Sequence, residues 1–92
     1  MAAQPPGLAR FDNLADLLAH ELDCRGWSAG ALAREWVKRG LSDPPHRSSV
    51  CQWRKGAQIP SPGRLVALSH VFGWDDWTFA HVCRLAAQRD AA

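Results

Sequence analysis

Most of the side chains in this sequence that could do chemistry are cations. Between Arg25 and Arg64 lie eight basic residues, Arg25, Arg34, Lys38, Arg39, Arg47, Arg54, Lys55 and Arg64, against two acids, Glu35 and Asp43, a net of +6. The flanks hold three basic residues against seven acids, a net of −4, so the overall charge of +2 conceals a cationic centre between acidic ends. Guanidinium and ammonium groups gathered in this way suit a polyanion, and the acidic flanks limit indiscriminate binding. One stretch, from His46 to Lys55, carries Arg47, Arg54 and Lys55 with no acid among them. Within it Val50 and Trp53 stand three apart and can share an inward helix face, which leaves Arg47, Ser48, Ser49, Gln52, Arg54 and Lys55 largely outside.

Other chemistries find little support. Cys24, Cys51 and Cys83 are an odd number without C-x-x-C spacing, poor material for a disulfide framework or zinc ribbon, and are read as reduced thiols. The thiols and the imidazoles of His20, His46, His70 and His81 are expected to be small buried hydrophobes and surface groups rather than metal ligands. His20 and Cys24, four apart, would share a helix face, but two ligands do not make a site. Asp75 and Asp76 are adjacent and fit a helix cap better than a catalytic carboxylate pair. With no glycine-rich phosphate loop and no nucleophile motif, the sequence predicts neither an enzyme nor a cofactor or metal.

These side chains must be positioned by a small scaffold. Ninety-two residues, 47% hydrophobic and 22% charged, fit one ordinary globular domain. No apolar run approaches a membrane span, and the opening residues lack the pattern of a secretory signal, which predicts no membrane partner and a cytoplasmic, nucleoid-associated protein. Residues 1–11, with Pro5, Pro6 and Gly7, read as a flexible arm, 12–88 as the domain and 89–92 as a tail. Leu14, Leu17, Leu18 and Leu22 mark a first amphipathic helix, capped by Asp12 or Asn13 and ending near Arg25-Gly26. Ser28 caps a second, with Leu32, Ala33, Trp36 and Val37 inward and Gly40 as its stop. Pro44-Pro45 then interrupts the chain, and a third helix starts at Pro45 or His46 and stops at Gly56. Ser61-Pro62 opens a fourth, with Leu65, Val66, Leu68, Val71 and Phe72 apolar and Gly73 at its end. Asp75 or Asp76 caps a fifth, through about Gln88, with Trp77, Ala80, His81, Val82, Cys83 and Leu85 available for burial. The expectation is all-α, a bundle of about five short helices.

The run from Ser28-Ala29-Gly30-Ala31-Leu32-Ala33, through Ser49-Val50-Cys51-Gln52-Trp53-Arg54-Lys55-Gly56, to Ile59-Pro60-Ser61-Pro62, Leu65-Val66-Ala67-Leu68 and Phe72-Gly73 resembles the lambda repressor and Cro (XRE) type of helix-turn-helix domain. The likeness covers about residues 14–74. It implies a sequence-specific, double-stranded DNA-binding transcriptional regulator that represses by occupying an operator, with one helix in the major groove and its neighbour braced on the backbone. Counted from the buried Val50, the family's base-reading positions fall on Arg47, Ser48 and Gln52. Arginine can hold guanine O6 and N7, and glutamine adenine N6 and N7. Phosphate contacts are then expected from Ser28, Ala29, His46, Ser49, Arg54, Lys55 and Arg64, with Leu32, Ala33, Val50 and Trp53 as core anchors. One departure is plain: fourteen positions separate Trp36 from Val50, more than the family usually places there. The turn is lengthened, and Lys38 and Arg39 become further phosphate candidates.

Of the five tryptophans, Trp36 and Trp53 lie on predicted core faces. Trp74, Trp77 and Phe79 form an apolar segment beyond the part needed to close the bundle, a candidate homodimer interface or else core. The alternative to a regulator is a protein-interaction module, an antitoxin or adaptor, whose C-terminal helix grips a partner while DNA binding is secondary or lost.

Overall fold

The computed structural model describes residues 10–91, with side chains from 10 to 88. Five helices follow one another, α1 (Leu14–Arg25), α2 (Ala29–Lys38), α3 (Arg47–Lys55), α4 (Pro62–Phe72) and α5 (Asp76–Ala91), with no strand among the described residues. The arm expected over 1–11 lies outside them except for its last two residues. Phe11 packs against the core, and its carbonyl lies 3.1 Å from His81 Nε2 on α5, so order begins before Asp12.

Local chemistry explains the boundaries. The side chains of Asn13, Ser28, His46 and Ser61 accept the backbone N–H of Asp16, Ala31, Ser48 and Arg64, each filling an orphan donor at a helix start. Pro62 stands in the first turn of α4, where its missing N–H goes unneeded. Asp75 caps α5, accepting from the Thr78 N–H at 2.7 Å. Gly56 ends α3 at φ 77°, a left-handed turn that favours glycine. The fifth helix runs to Ala91 rather than Gln88, so residues 89–91 extend it.

The core is one cluster drawn from all five helices. Leu17, Leu22, Leu32, Trp36, Val50, Leu68 and Val82 are sealed from solvent, and α3 is held between α1 and α2. A radius of gyration of 12.6 Å matches the roughly 12 Å of a folded chain of this length. Burial is narrower than the sequence periodicity suggests. In α2 the buried stripe is Leu32 and Trp36; Ala33 is only half-buried and Val37 is 59% exposed. Val66, one residue out of phase with Leu65 and Leu68, is exposed, as are Ala80 and Trp77. All three cysteines are exposed, contrary to their reading as buried hydrophobes. No described helix is long and apolar enough to cross a membrane.

The connection from α2 to α3, residues 39–46, is long but tied down. The Trp36 indole N–H donates to the Ser42 carbonyl at 2.9 Å, and the Leu41 N–H donates to the Trp36 carbonyl at 3.2 Å. Leu41 packs on the core and Pro45 is buried. Asp43 takes a positive φ of 58°, which an aspartate tolerates better than most side chains, and its carboxylate meets Arg64 of α4 at 3.2 Å.

Candidate nucleic-acid interface

The third helix is built to be anchored on one side and presented on the other. Val50, 1% exposed, and Trp53, 4% exposed, fix its inner face. A helical turn of about 100° per residue sets Ser48 and Lys55 opposite that face, with Cys51 and Gln52 on either side of them and Arg47 at its edge; Arg47, Ser48, Cys51 and Lys55 are exposed. Gln52 and Ser49 sit half-buried on its flanks. Arg47 and Lys55 have no hydrogen bond or ion pair among the described residues, which leaves their charges available to an outside anion. Arg34 on α2 is in the same condition.

Other cations from the sequence are engaged within the chain. Arg54 pairs with Asp23 of α1 at 3.2 Å, and Arg64 closes on Asp43. Lys38 and Arg39 both bind Glu35, and the Arg39 and Lys38 hydrogen bonds hold that carboxyl below its usual range. These four are therefore engaged within the chain rather than free, Lys38 and Arg39 sharing one carboxylate. The pairs are solvent-facing and individually weak, so phosphate can compete for them. Ser28 is occupied in capping α2, Ala29 packs its methyl on the core, and His46 caps α3.

Cys51 is the residue that sequence reasoning passed over. Counting thiols and looking for metal spacing hid its place on the presented side of α3, beside Lys55 and Ser48 in helical phase. Among the described residues there is no cluster of three metal-binding side chains.

The aromatic segment after α4 divides. Trp74 is half-buried, and its indole N–H donates to the buried carboxylate of Glu21. Arg25 pairs with the same carboxylate at 2.9 Å, donates to the Phe72 carbonyl at 3.0 Å and lies over the Trp27 and Phe72 rings. Phe79 packs on the core. Trp74 and Phe79 thus serve the fold, and only Trp77, 64% exposed, remains uncovered of the three residues expected at a dimer interface. A separate apolar groove of about 440 Å³ runs between the start of α4 and α5, lined by Pro62, Leu65, Val66, Phe79, Cys83 and Ala87 among others.

Comparison of the chain with known protein families, with curated proteins and with solved structures finds no match.

Proposed function

We propose that this chain is a sequence-specific binder of double-stranded DNA, a helix-turn-helix regulator that represses by occupying an operator. The observation that supports this reading is α3 itself. Its apolar side is locked into the core while Arg47, Ser48 and Lys55, with Gln52 beside them, face outward without a protein partner for either cation. An α-helix of this width fits the major groove, where base edges display distinct donors and acceptors. In this reading Arg47, Ser48 and Gln52 read bases, and Lys55 holds phosphate. The α2 start, the tethered turn and the exchangeable pairs of Arg54, Lys38 and Arg39 border the backbone. A homodimer would read two half-sites about one helical turn apart.

The test is selection from random duplex DNA near physiological salt, with the Arg47→Ala/Gln52→Ala double variant in parallel. The expected outcome is a motif enriched by the parent chain and lost or altered in the variant. A folded parent chain that enriches nothing overturns the reading. The α4–α5 groove and exposed Trp77 and Val66 would then favour the second reading, an adaptor or antitoxin that grips a protein through this side.

A further inference from the structure

The start of α3 is capped by an imidazole, where serine, threonine, aspartate or asparagine is the usual choice. The Ser48 backbone N–H donates to His46 Nδ1 at 3.1 Å, and Ser48 Oγ lies 2.8 Å from the same nitrogen. A backbone N–H can only donate, so Nδ1 accepts in this state and a neutral ring carries its proton on Nε2. At 2.8 Å two facing lone pairs would repel, so one proton must lie between Nδ1 and Oγ. With a neutral ring that proton is the serine's own, and Oγ turns its lone pairs outward.

Protonation reverses the arrangement. The proton taken up sits on Nδ1 and is donated to Ser48 Oγ, the N–H cap is lost, and the serine O–H is released to point away from the ring. The one covalent bond formed is Nδ1–H, its proton supplied by the solvent. An outward Oγ lone pair accepts from the amino groups of adenine or cytosine; an outward O–H donates to guanine O6 and N7, adenine N7 or thymine O4.

We propose that His46 determines which bases Ser48 can read, holding the hydroxyl as an acceptor only while the imidazole is neutral and freeing its O–H to donate as well when the imidazole gains a proton. The inference rests on the DNA-reading function proposed for α3. His46 is a positioning residue, acting through Ser48. Histidine is the side chain whose charge ordinarily changes between pH 5 and 8, which sets the two conditions of the test. Among the described residues no charged group on α2, on α3 or in the connection between them is bonded to the ring. On α3 itself Arg54 is paired with Asp23 of α1, in the turn Asp43 is paired with Arg64 of α4, and on α2 Glu35 is paired with Lys38 and Arg39. Arg34 on α2 and Arg47 and Lys55 on α3 have no bond to the His46 ring, whose one described partner is Ser48.

The experiment is selection from random duplex DNA at about pH 8 and about pH 5.5, on either side of the histidine range, using the parent chain, His46→Asn and Ser48→Ala. Asparagine keeps a capping oxygen and does not titrate, so His46→Asn preserves the helix start. The parent chain is expected to change its preferred base at one position per half-site between the two pH values, by about fivefold, the worth of one neutral hydrogen bond. His46→Asn should return one motif at both pH values, and Ser48→Ala should lose preference at that position at both. An unchanged parent motif, or a pH-dependent change that survives in His46→Asn, overturns the proposal. The Ser48 amide proton, followed by NMR without DNA, separates the causes of failure. If it moves with titration of the His46 ring while no motif is enriched at either pH, the DNA-reading function has failed and the base-switching role falls with it. If it does not move, the cap exchange itself is refuted.

Discussion

Arg47 and Arg64 carry the same charge in different surroundings, and the surroundings decide what each can do. Arg47 is exposed at the start of α3 with no internal partner among the described residues, whereas Arg64 is three-quarters buried and spans from α4 to Asp43 in the turn. Arg47→Ala should therefore relax preference at one base position, and Lys55→Ala should weaken binding to all sequences and lower the salt slope by about one. Equal losses on specific and random DNA for both variants would refute the division of roles. For Arg64 the expected behaviour is that of a tether. Asp43→Ala and Arg64→Ala should each weaken specific binding by no more than about fivefold, as befits one ion pair whose carboxylate faces solvent, with the salt slope unchanged. An increase in affinity for Asp43→Ala would show instead that the freed guanidinium reaches phosphate.

At the scale of elements, the helix starts carry the local energetics. Asp75 takes the Thr78 backbone N–H, and this bond holds its carboxyl below the ordinary value of 3.8. A carboxylate with a lowered folded-state value stabilises fully above its unfolded value and loses that contribution as pH falls through the lower one. Asp75→Ala should thus lower the melting temperature at neutral pH, and the deficit should shrink as the pH drops below 3.8; thermal melts across that range check it. Substituting the Ser61 cap of α4 by alanine should cost about 1 kcal/mol at any pH, because a hydroxyl does not titrate there.

For the whole molecule, one core serves both stability and presentation of α3. Trp53 is shared between the inner face of α3 and the cluster formed with α1, so Trp53→Ala should destabilise by roughly 3–5 kcal/mol in denaturant unfolding. The two tryptophans near α5 should part company. Trp74→Phe removes the N–H that satisfies buried Glu21 and should cost about 1–3 kcal/mol. Trp77→Ala removes an exposed ring and should leave unfolding nearly unchanged, while sedimentation of the same variant shows whether that ring joins two copies. Similar losses for both would contradict their different burial.

Helix number, helix phase and most of the caps were legible in the sequence, because each depends on neighbours within about four residues; the His46 cap was not, since the sequence predicts a start for α3 at Pro45 or His46 and the helix starts at Arg47. Ser28, Ser61, Gly56 and Gly73 do locally what their residue types favour, and the pair Val50 and Trp53 sets the inner face of α3 wherever the rest of the chain lies. Ser48 and Lys55 follow outward from that phase. What needed the tertiary structure was every partnership across elements. Arg54 with Asp23, Arg64 with Asp43, Trp36 with Ser42 and Trp74 with Glu21 join residues whose approach no local pattern encodes. The same holds for the width of each buried stripe: Val37 and Val66 are as apolar as their neighbours, yet neither meets a facing element that covers it. A one-dimensional pattern fixes which way a side chain leaves its own helix, while the packing of the other helices decides whether anything is there to receive it.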